Sequence, residues 1–167
     1  MGLIMINTVE LFDPSKLREL ISTRFNPPVT VIRSNSQIDT TNMPFYATLQ
    51  QVTSTPQGSR AFSKGDSEIE YSEFTDNVLY SVQLIGKNSI LLANRLKASL
   101  RLTSSLNELK KMNIGILQVS AVRDVSLAID SGYEERAQFD LLVSQSTIVR
   151  EQQNHITGVD LEIDIEQ

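Results

Sequence analysis

The order of apolar and polar positions divides the chain into segments of two periods. Leu17, Leu20 and Ile21 recur at helical spacing after Leu11-Phe12-Asp13-Pro14. That prelude starts a helix well, because the Asp13 carboxylate can accept from orphan backbone N–H groups and Pro14 suits the first helical position. Phe12 and Leu17 are placed to form a hydrophobic staple, and Asn26-Pro27-Pro28 closes the helix. β-Branched Val29 to Arg33 predicts a short strand, polar Ser34 to Pro44 a turn-rich connection, and Phe45 to Val52 a second strand.

Val78, Tyr80, Val82 and Leu84 alternate with Leu79, Ser81, Gln83 and Ile85, so this strand is apolar over most of both faces and belongs in the middle of its sheet. Gly86 ends it. From Asn88 the period changes: Leu92, Ala93, Leu96 and Leu100 fall on one helical stripe, with Arg95, Lys97 and Arg101 turned toward water. Ser105-Leu106-Asn107-Glu108 matches a capping box and predicts a second short helix from Ser105, with Leu106 and Leu109 on its apolar side and Asn113 and Gly115 at its end. Ile116 to Val122 reads as a strand. Ala137, Phe139, Leu141 and Val143, alternating with Gln138 and Asp140, read as another. From Val159 to Glu166 every odd position is aliphatic and every even one acidic. A strand there packs one face and turns its carboxylates outward, and a one-residue slip would bury them all, which fixes the register.

Residues 53–73 carry Pro56, Gly58, Lys64, Gly65 and many serines, with only Ala61, Phe62, Ile69 and Tyr71 as apolar members, and add little to a core. Two readings stand: a solvated loop, or a hairpin closing at Gly65-Asp66 and projecting as an arm. Strands outnumber helices without βαβ alternation. The expected fold is therefore α+β, a mostly antiparallel β-sheet with two to three helices packed on one face, plus a protruding β-hairpin or loop arm, in a single domain spanning residues 1–167.

Composition narrows the function. A chain of 167 residues with 40% hydrophobic and 21% charged positions can bury a moderate core, which rules out disorder throughout. The formal charge is −5, and no basic block offers a tight nucleic-acid grip. The absence of cysteine excludes disulfide staples, thiolate zinc sites and cysteine nucleophiles together. The apolar start is too short for a signal h-region and no later run approaches the roughly 20 residues of a membrane span, so a soluble, unexported protein is expected.

The search for chemistry gives no catalytic, cofactor-binding or metal residues. The single histidine, His155, has no second histidine or cysteine with which to hold zinc. Glu134-Glu135, Glu68 with Glu70, and the C-terminal acids lack convergent partners or the glycine spacing of a calcium loop. No nucleophile elbow, phosphate loop or dinucleotide fingerprint occurs. Arg95, Lys97, Arg101, Lys110 and Lys111 lack interleaved aromatics and read as a polar helix face rather than a phosphate-contacting stripe. What remains is a small acidic domain for binding or assembly, with no cofactor.

Two stretches stand out as a unit. The first is Tyr80-Ser81-Val82-Gln83-Leu84-Ile85-Gly86 running into Ala93-Asn94-Arg95-Leu96-Lys97-Ala98-Ser99-Leu100. The second is Gly115-Ile116-Leu117-Gln118-Val119-Ser120-Ala121-Val122-Arg123-Asp124-Val125-Ser126 followed by Gly132-Tyr133-Glu134-Glu135-Arg136-Ala137-Gln138-Phe139-Asp140-Leu141. Together they resemble the tail-terminator, or neck, proteins of tailed bacteriophages, closely over roughly residues 75–165 and in outline before them. The resemblance implies a non-enzymatic virion protein of the tail and neck region, found in the host cytoplasm during assembly. Such a protein forms a ring, typically a hexamer, on the head-proximal end of the tail tube. It ends tube polymerisation and joins the head-tail connector or stopper protein; where tails contract, it also touches the last sheath layer. Competing readings are another neck or tail component (a head-completion or stopper protein, or a tail-tube subunit), a small hydrolase using the acids, and a bacterial cytosolic binding domain.

A ring of identical copies joins unlike patches. In the arm, Arg60, Lys64 and Asp66 lie beside Glu68, Glu70 and Glu73, and Ile69 and Tyr71 could add main-chain hydrogen bonds by edge-strand pairing. Arg123, Asp124, Tyr133, Glu134 and Arg136 flank the connection from Val125 to Gly132. There Arg123 and Arg136 can pair with Asp124, Glu134 or a neighbour's acid. Exposed pairs contribute about 0–1 kcal/mol each, enough to select partners rather than hold a ring. Asp160, Glu162, Asp164 and Glu166 are candidates for an acidic lumen through which DNA passes without specific binding.

Overall fold

A computed structural model of the chain describes residues 12–63, 69–130 and 132–152. Helix α1 (Pro14–Thr23) begins where the Asp13–Pro14 pair predicts. The Asp13 carboxylate accepts the Ser15 N–H at 2.8 Å, and the hydrogen bonds from Ser15 hold its carboxyl below the ordinary carboxylate range. Phe12 packs on the same cluster as Leu17, Leu20 and Ile21. The cis Asn26–Pro27 bond follows, and the chain then enters β1 (Val31–Arg33).

The remaining elements are β2 (Phe45–Ser63), β3 (Ile69–Gly86), α2 (Ser89–Ser99), α3 (Thr103–Lys111), β4 (Ile114–Val119), β5 (Arg123–Asp124), β6 (Leu127–Ile129), β7 (Gly132–Glu134) and β8 (Arg136–Gln152). The main sheet runs β1-β2-β3-β8-β4, with β5 also on β8, while β6 and β7 form a separate two-stranded sheet. β1 lies parallel to β2 and every other pairing is antiparallel. β3 is central, as its two-sided apolar character predicts.

Register explains why one face carries the core. Ala47 opposes Leu84 and Leu49 opposes Val82 across β2 and β3. Val78, Tyr80, Val82 and Leu84 oppose Val143, Leu141, Phe139 and Ala137 across β3 and β8. Cross-strand partners share a face, so these side chains form one apolar layer. Leu17, Leu20 and Ile21 of α1, Ala93 and Leu96 of α2, Leu100 beyond it and Leu109 of α3 complete the same buried cluster. All three described helices therefore cover that face, and the chain is α+β as expected. Complete burial of a Leu, Val or Phe is worth about 1.5–3 kcal/mol, and Phe139, Leu141 and Val143 are each 0% exposed.

Four boundaries differ from the sequence reading. α3 starts at Thr103 rather than at a Ser105 cap: Ser105 is buried in the helix and its hydroxyl donates to the Ser99 carbonyl at 2.7 Å, a tertiary bond that displaces the capping box. Leu106, expected on the apolar side, is exposed. The strand expected at 116–122 starts at Ile114 and ends at Val119, and the separate two-residue β5 follows at Arg123–Asp124. β2 and β8 run to Ser63 and Gln152, well past the expected ends near Val52 and Val143, because both continue with no side chain described as buried and no apolar alternation to announce them. Residues 159–166 lie outside the described residues.

Candidate assembly surfaces

Beyond the core the sheet narrows to a ribbon. No described residue of β2 after Leu49, of β3 before Val78 or of β8 after Val143 belongs to the buried cluster. There β2 pairs β3 out to Ser63 and Glu70, and β3 pairs β8 out to Ile69 and Gln152. Ile69 is nine strand steps from Val78, so the ribbon carries its three strands roughly 30 Å past the core. The closing turn, with Lys64, Gly65, Asp66 and Glu68, lies outside the described residues.

The residues on the ribbon face opposite the helices can be read from the ladder. Phe62, Tyr71 and Arg150 form one row and Arg60, Glu73 and Ile148 the next. Phe62 stacks on Tyr71 with centroids 5.4 Å apart and planes 11° from parallel. The Arg60 guanidinium lies 5.4 Å from the Phe62 centroid, and its Nε donates to Glu73 at 2.5 Å. With the Arg60 side chain 73% exposed, that ion pair adds at most about 1 kcal/mol and mainly holds the guanidinium over the ring.

Ile69 and Tyr71 sit on β3, the middle strand, with Tyr71 paired to Phe62 on one side and Arg150 on the other. Edge pairing by these two residues is therefore corrected: β3 spends its ladder hydrogen bonds within the chain, and both residues present side chains instead. The outer strands carry the edges. β1 covers β2 only at Ala47–Leu49, and beyond it Pro56 and the register shifts at Gln51/Thr53 and Pro56/Gly58 blunt the β2 edge. β8 has neither proline nor register shift against β3, and on its far side the last described backbone bond is Ser146 N–H to Asn113 O at 3.2 Å. Phe62, Ile148 and Arg150 were missed as candidate site residues. The β-branched run Thr147-Ile148-Val149 was the available signal for a longer β8.

At the opposite end of the sheet, β6 and β7 form a hairpin between β5 and β8. Leu127, Ile129 and Tyr133 on it are 38%, 40% and 68% exposed. Its foot is tied down. Asp124 accepts from the Ser126 N–H at 3.0 Å and from its hydroxyl, bonds that hold the Asp124 carboxyl below the ordinary range. Ser126 Oγ accepts the Arg136 N–H at 2.9 Å, and Arg136 Nε donates to Glu134 at 2.5 Å. Arg123 pairs with Asp140 at 2.7 Å rather than with Asp124 or Glu134, because the β5–β8 ladder sets it opposite Gln138, two residues from Asp140 on the same face. Glu135 anchors α2 by accepting the Asn88 N–H at 2.7 Å.

Ile69 marks the ribbon end of β3 and Ile85, opposite Arg136, the hairpin end. The sixteen steps between them span roughly 53 Å. One surface is a stacked aromatic pair with cations on a bare ribbon, the other an exposed aliphatic and tyrosine hairpin.

Two of the helical cations are engaged within the chain. Lys97 donates to the Ser120 carbonyl at 2.7 Å and Lys111 pairs with Glu108 at 2.8 Å. Among the described residues no cluster of His, Asp and Glu is arranged to hold a metal, and no helix is long and apolar enough to cross a membrane. His155, Asp160, Glu162, Asp164 and Glu166 lie outside the described residues.

The family model described as phage neck terminator protein matches residues 15–167. No curated protein matches the chain.

Proposed function

This chain belongs to the phage neck terminator protein family, and on that premise we propose that it closes the head-proximal end of the tail tube as a ring of identical copies. Membership gives it a structural role at the phage neck. The finer reading is that the ring, hexameric by resemblance, ends tube polymerisation and receives the head connector or stopper protein. Where the tail contracts it also touches the last sheath layer, and DNA passes its lumen without specific binding.

One observation supports this reading above others: the two exposed surfaces are unlike and stand at opposite ends of one sheet. A closed ring needs heterologous contacts, in which one patch meets a different patch on the next copy. A self-complementary patch would give a two-fold dimer instead. In this reading the ribbon, with Arg60, Ile69 and Tyr71, reaches across a neighbour, and the hairpin with Tyr133, Glu134 and Arg136 beside Arg123 and Asp124 supplies the second surface. Asp160, Glu162, Asp164 and Glu166 are proposed to face the lumen, where carboxylates repel phosphate.

The test is native mass measurement and negative-stain microscopy of the purified protein, alone and mixed with tail tubes. Single rings that cap one tube end are expected. Persistent monomers at high concentration would overturn the reading, and long cylinders of the protein alone would make it a tube subunit.

A further inference from the structure

The faces of α1 and α3 bound an open groove on the helix side of the molecule. Lys16, Glu19, Leu20, Thr23 and Arg24 line one wall, and Ser104, Asn107, Glu108, Lys110, Lys111 and Met112 the other. The α1 residues recur every three or four positions, so they form one continuous helical face. Four cations and two carboxylates line it, a positive groove on a chain whose formal charge is −5. Lys111 pairs with Glu108 at 2.8 Å, whereas Lys16, Arg24 and Lys110 form no ion pair among the described residues. The Arg24 Nε is buried without a hydrogen-bond partner, and NH1 of the same guanidinium reaches Ser104 Oγ only at 3.3 Å. Between the walls, half-buried Met112 offers apolar surface, while Leu20 is 4% exposed.

We propose that this groove is a docking site for an acidic peptide of alternating aliphatic character, and that its occupant is the chain's own segment Val159–Glu166. The match is chemical at both levels of the groove. Val159, Leu161, Ile163 and Ile165 supply side chains for the apolar surface, and Asp160, Glu162, Asp164 and Glu166 supply charge for Lys16, Arg24 and Lys110. Reach permits it. Asn113, two residues past α3, bonds Ser146 of β8, which fixes the α3 end of the groove beside the root of the ribbon. Gln152 is six strand steps, roughly 20 Å, further out. The seven residues from 153 to 159 span at most about 23–25 Å when extended, enough to return to that root. Docked there, these carboxylates are not lumen-facing, so the inference competes with one detail of the proposed ring and is independent of ring formation itself.

Zero-length carbodiimide coupling of the full chain, followed by peptide mass spectrometry, tests it. Equal amounts of unlabelled and nitrogen-15-labelled protein are mixed first. The expected products join Lys16, Lys110 or Lys111 to Asp160, Glu162, Asp164 or Glu166, carry a single isotope label, and fall at least fivefold in yield at high salt. A double Lys16→Glu, Lys110→Glu variant should lose the remaining Lys111 product, with an unchanged circular dichroism spectrum because both side chains are exposed. Coupling of the terminal acids to lysines elsewhere, or absence of any such product, overturns the proposal. Products of mixed label overturn docking within one chain and assign the segment to a neighbouring copy. Ring formation read in the same sample by native mass reports separately on the proposed function.

Discussion

Phe62 and Tyr71 stack face to face across the β2–β3 ladder, 5.4 Å between centroids and 11° from parallel, on a part of the sheet that no described helix covers. An offset aromatic pair is worth about 0.5–1.5 kcal/mol beyond its buried area, and this one stiffens the ribbon rather than the core. Replacing Phe62 by Ala should move the global unfolding free energy by less than about 1 kcal/mol. It should also lower the fraction of assembled rings at fixed concentration by at least tenfold in sedimentation velocity. A variant that assembles normally would remove the ribbon from the interface.

The hairpin end offers a titration. Asp124 owes its lowered pKa first to the Ser126 hydroxyl and then to the Ser126 N–H. A carboxylate whose folded value lies below its unfolded one stabilises the fold above the unfolded value, and that contribution is lost as pH falls through the folded value. Ser126→Ala removes the larger cause, so the Asp124 carboxyl should titrate closer to 3.8 in carbon-detected NMR. It also takes away the acceptor of the Arg136 N–H, which should cost about 0.5–1.5 kcal/mol at neutral pH. An unmoved Asp124 titration would show that the hydroxyl bond does not form in solution.

How much of this was readable beforehand follows from where burial acts. Alternation at Val78–Leu84 and at Ala137–Val143 located the two central strands, since one face of each is fully buried and selects apolar residues at every second position. The Asp13–Pro14 start was readable because a cap is a local device. The capping box at Ser105 misled: the same serine chemistry that closes a helix end also satisfies a carbonyl in a tertiary contact, and only the fold shows that Ser99 stands within reach. The ribbon was half legible. No side chain described on its strands is buried, so no pattern of burial wrote itself into Thr53–Ser63 or Ser144–Gln152. For the same reason the stacked Phe62 and the cation at Arg150 were not singled out.

Tyr80 carries a pH signature of the core. Its side chain is 1% exposed and burial pushes its phenol up to about 12, while the hydroxyl meets Gln145 Oε1 only at 3.4 Å. In the unfolded chain the phenol ionises near 10. Between these values the folded state holds a proton that the unfolded state has released, so stability falls as pH rises across that window, by up to about 1.4 kcal/mol per unit. Tyr80→Phe should cost less than about 1 kcal/mol at pH 7 and flatten the loss between pH 10 and 12 in denaturant titrations. An unchanged alkaline slope would place the loss on other groups.

Two glycines should respond in opposite ways to the same substitution. Gly86 ends β3 with φ at +126°, its N–H bonded to the Glu135 carbonyl at 2.9 Å. A Cβ there would lie 2.5 Å from the Pro44 carbonyl oxygen and 3.0 Å from the Phe45 Cα. Both obstacles are backbone of the neighbouring strand, held by the Phe45–Gly86 pairing, so neither yields without moving the start of β2. Gly86→Ala adds this clash to a positive φ that L-residues adopt only under strain, and should destabilise by about 3 kcal/mol or more, with the loss visible as a lowered denaturant midpoint. Gly58, on the bare ribbon, has no atom within 4 Å of an added Cβ and does not hold a positive φ. Gly58→Ala removes freedom from the unfolded chain at little native cost, so it should be neutral or stabilising by up to about 1 kcal/mol. If the two variants lose stability equally, the close approach at Pro44 is not what requires glycine at the end of β3.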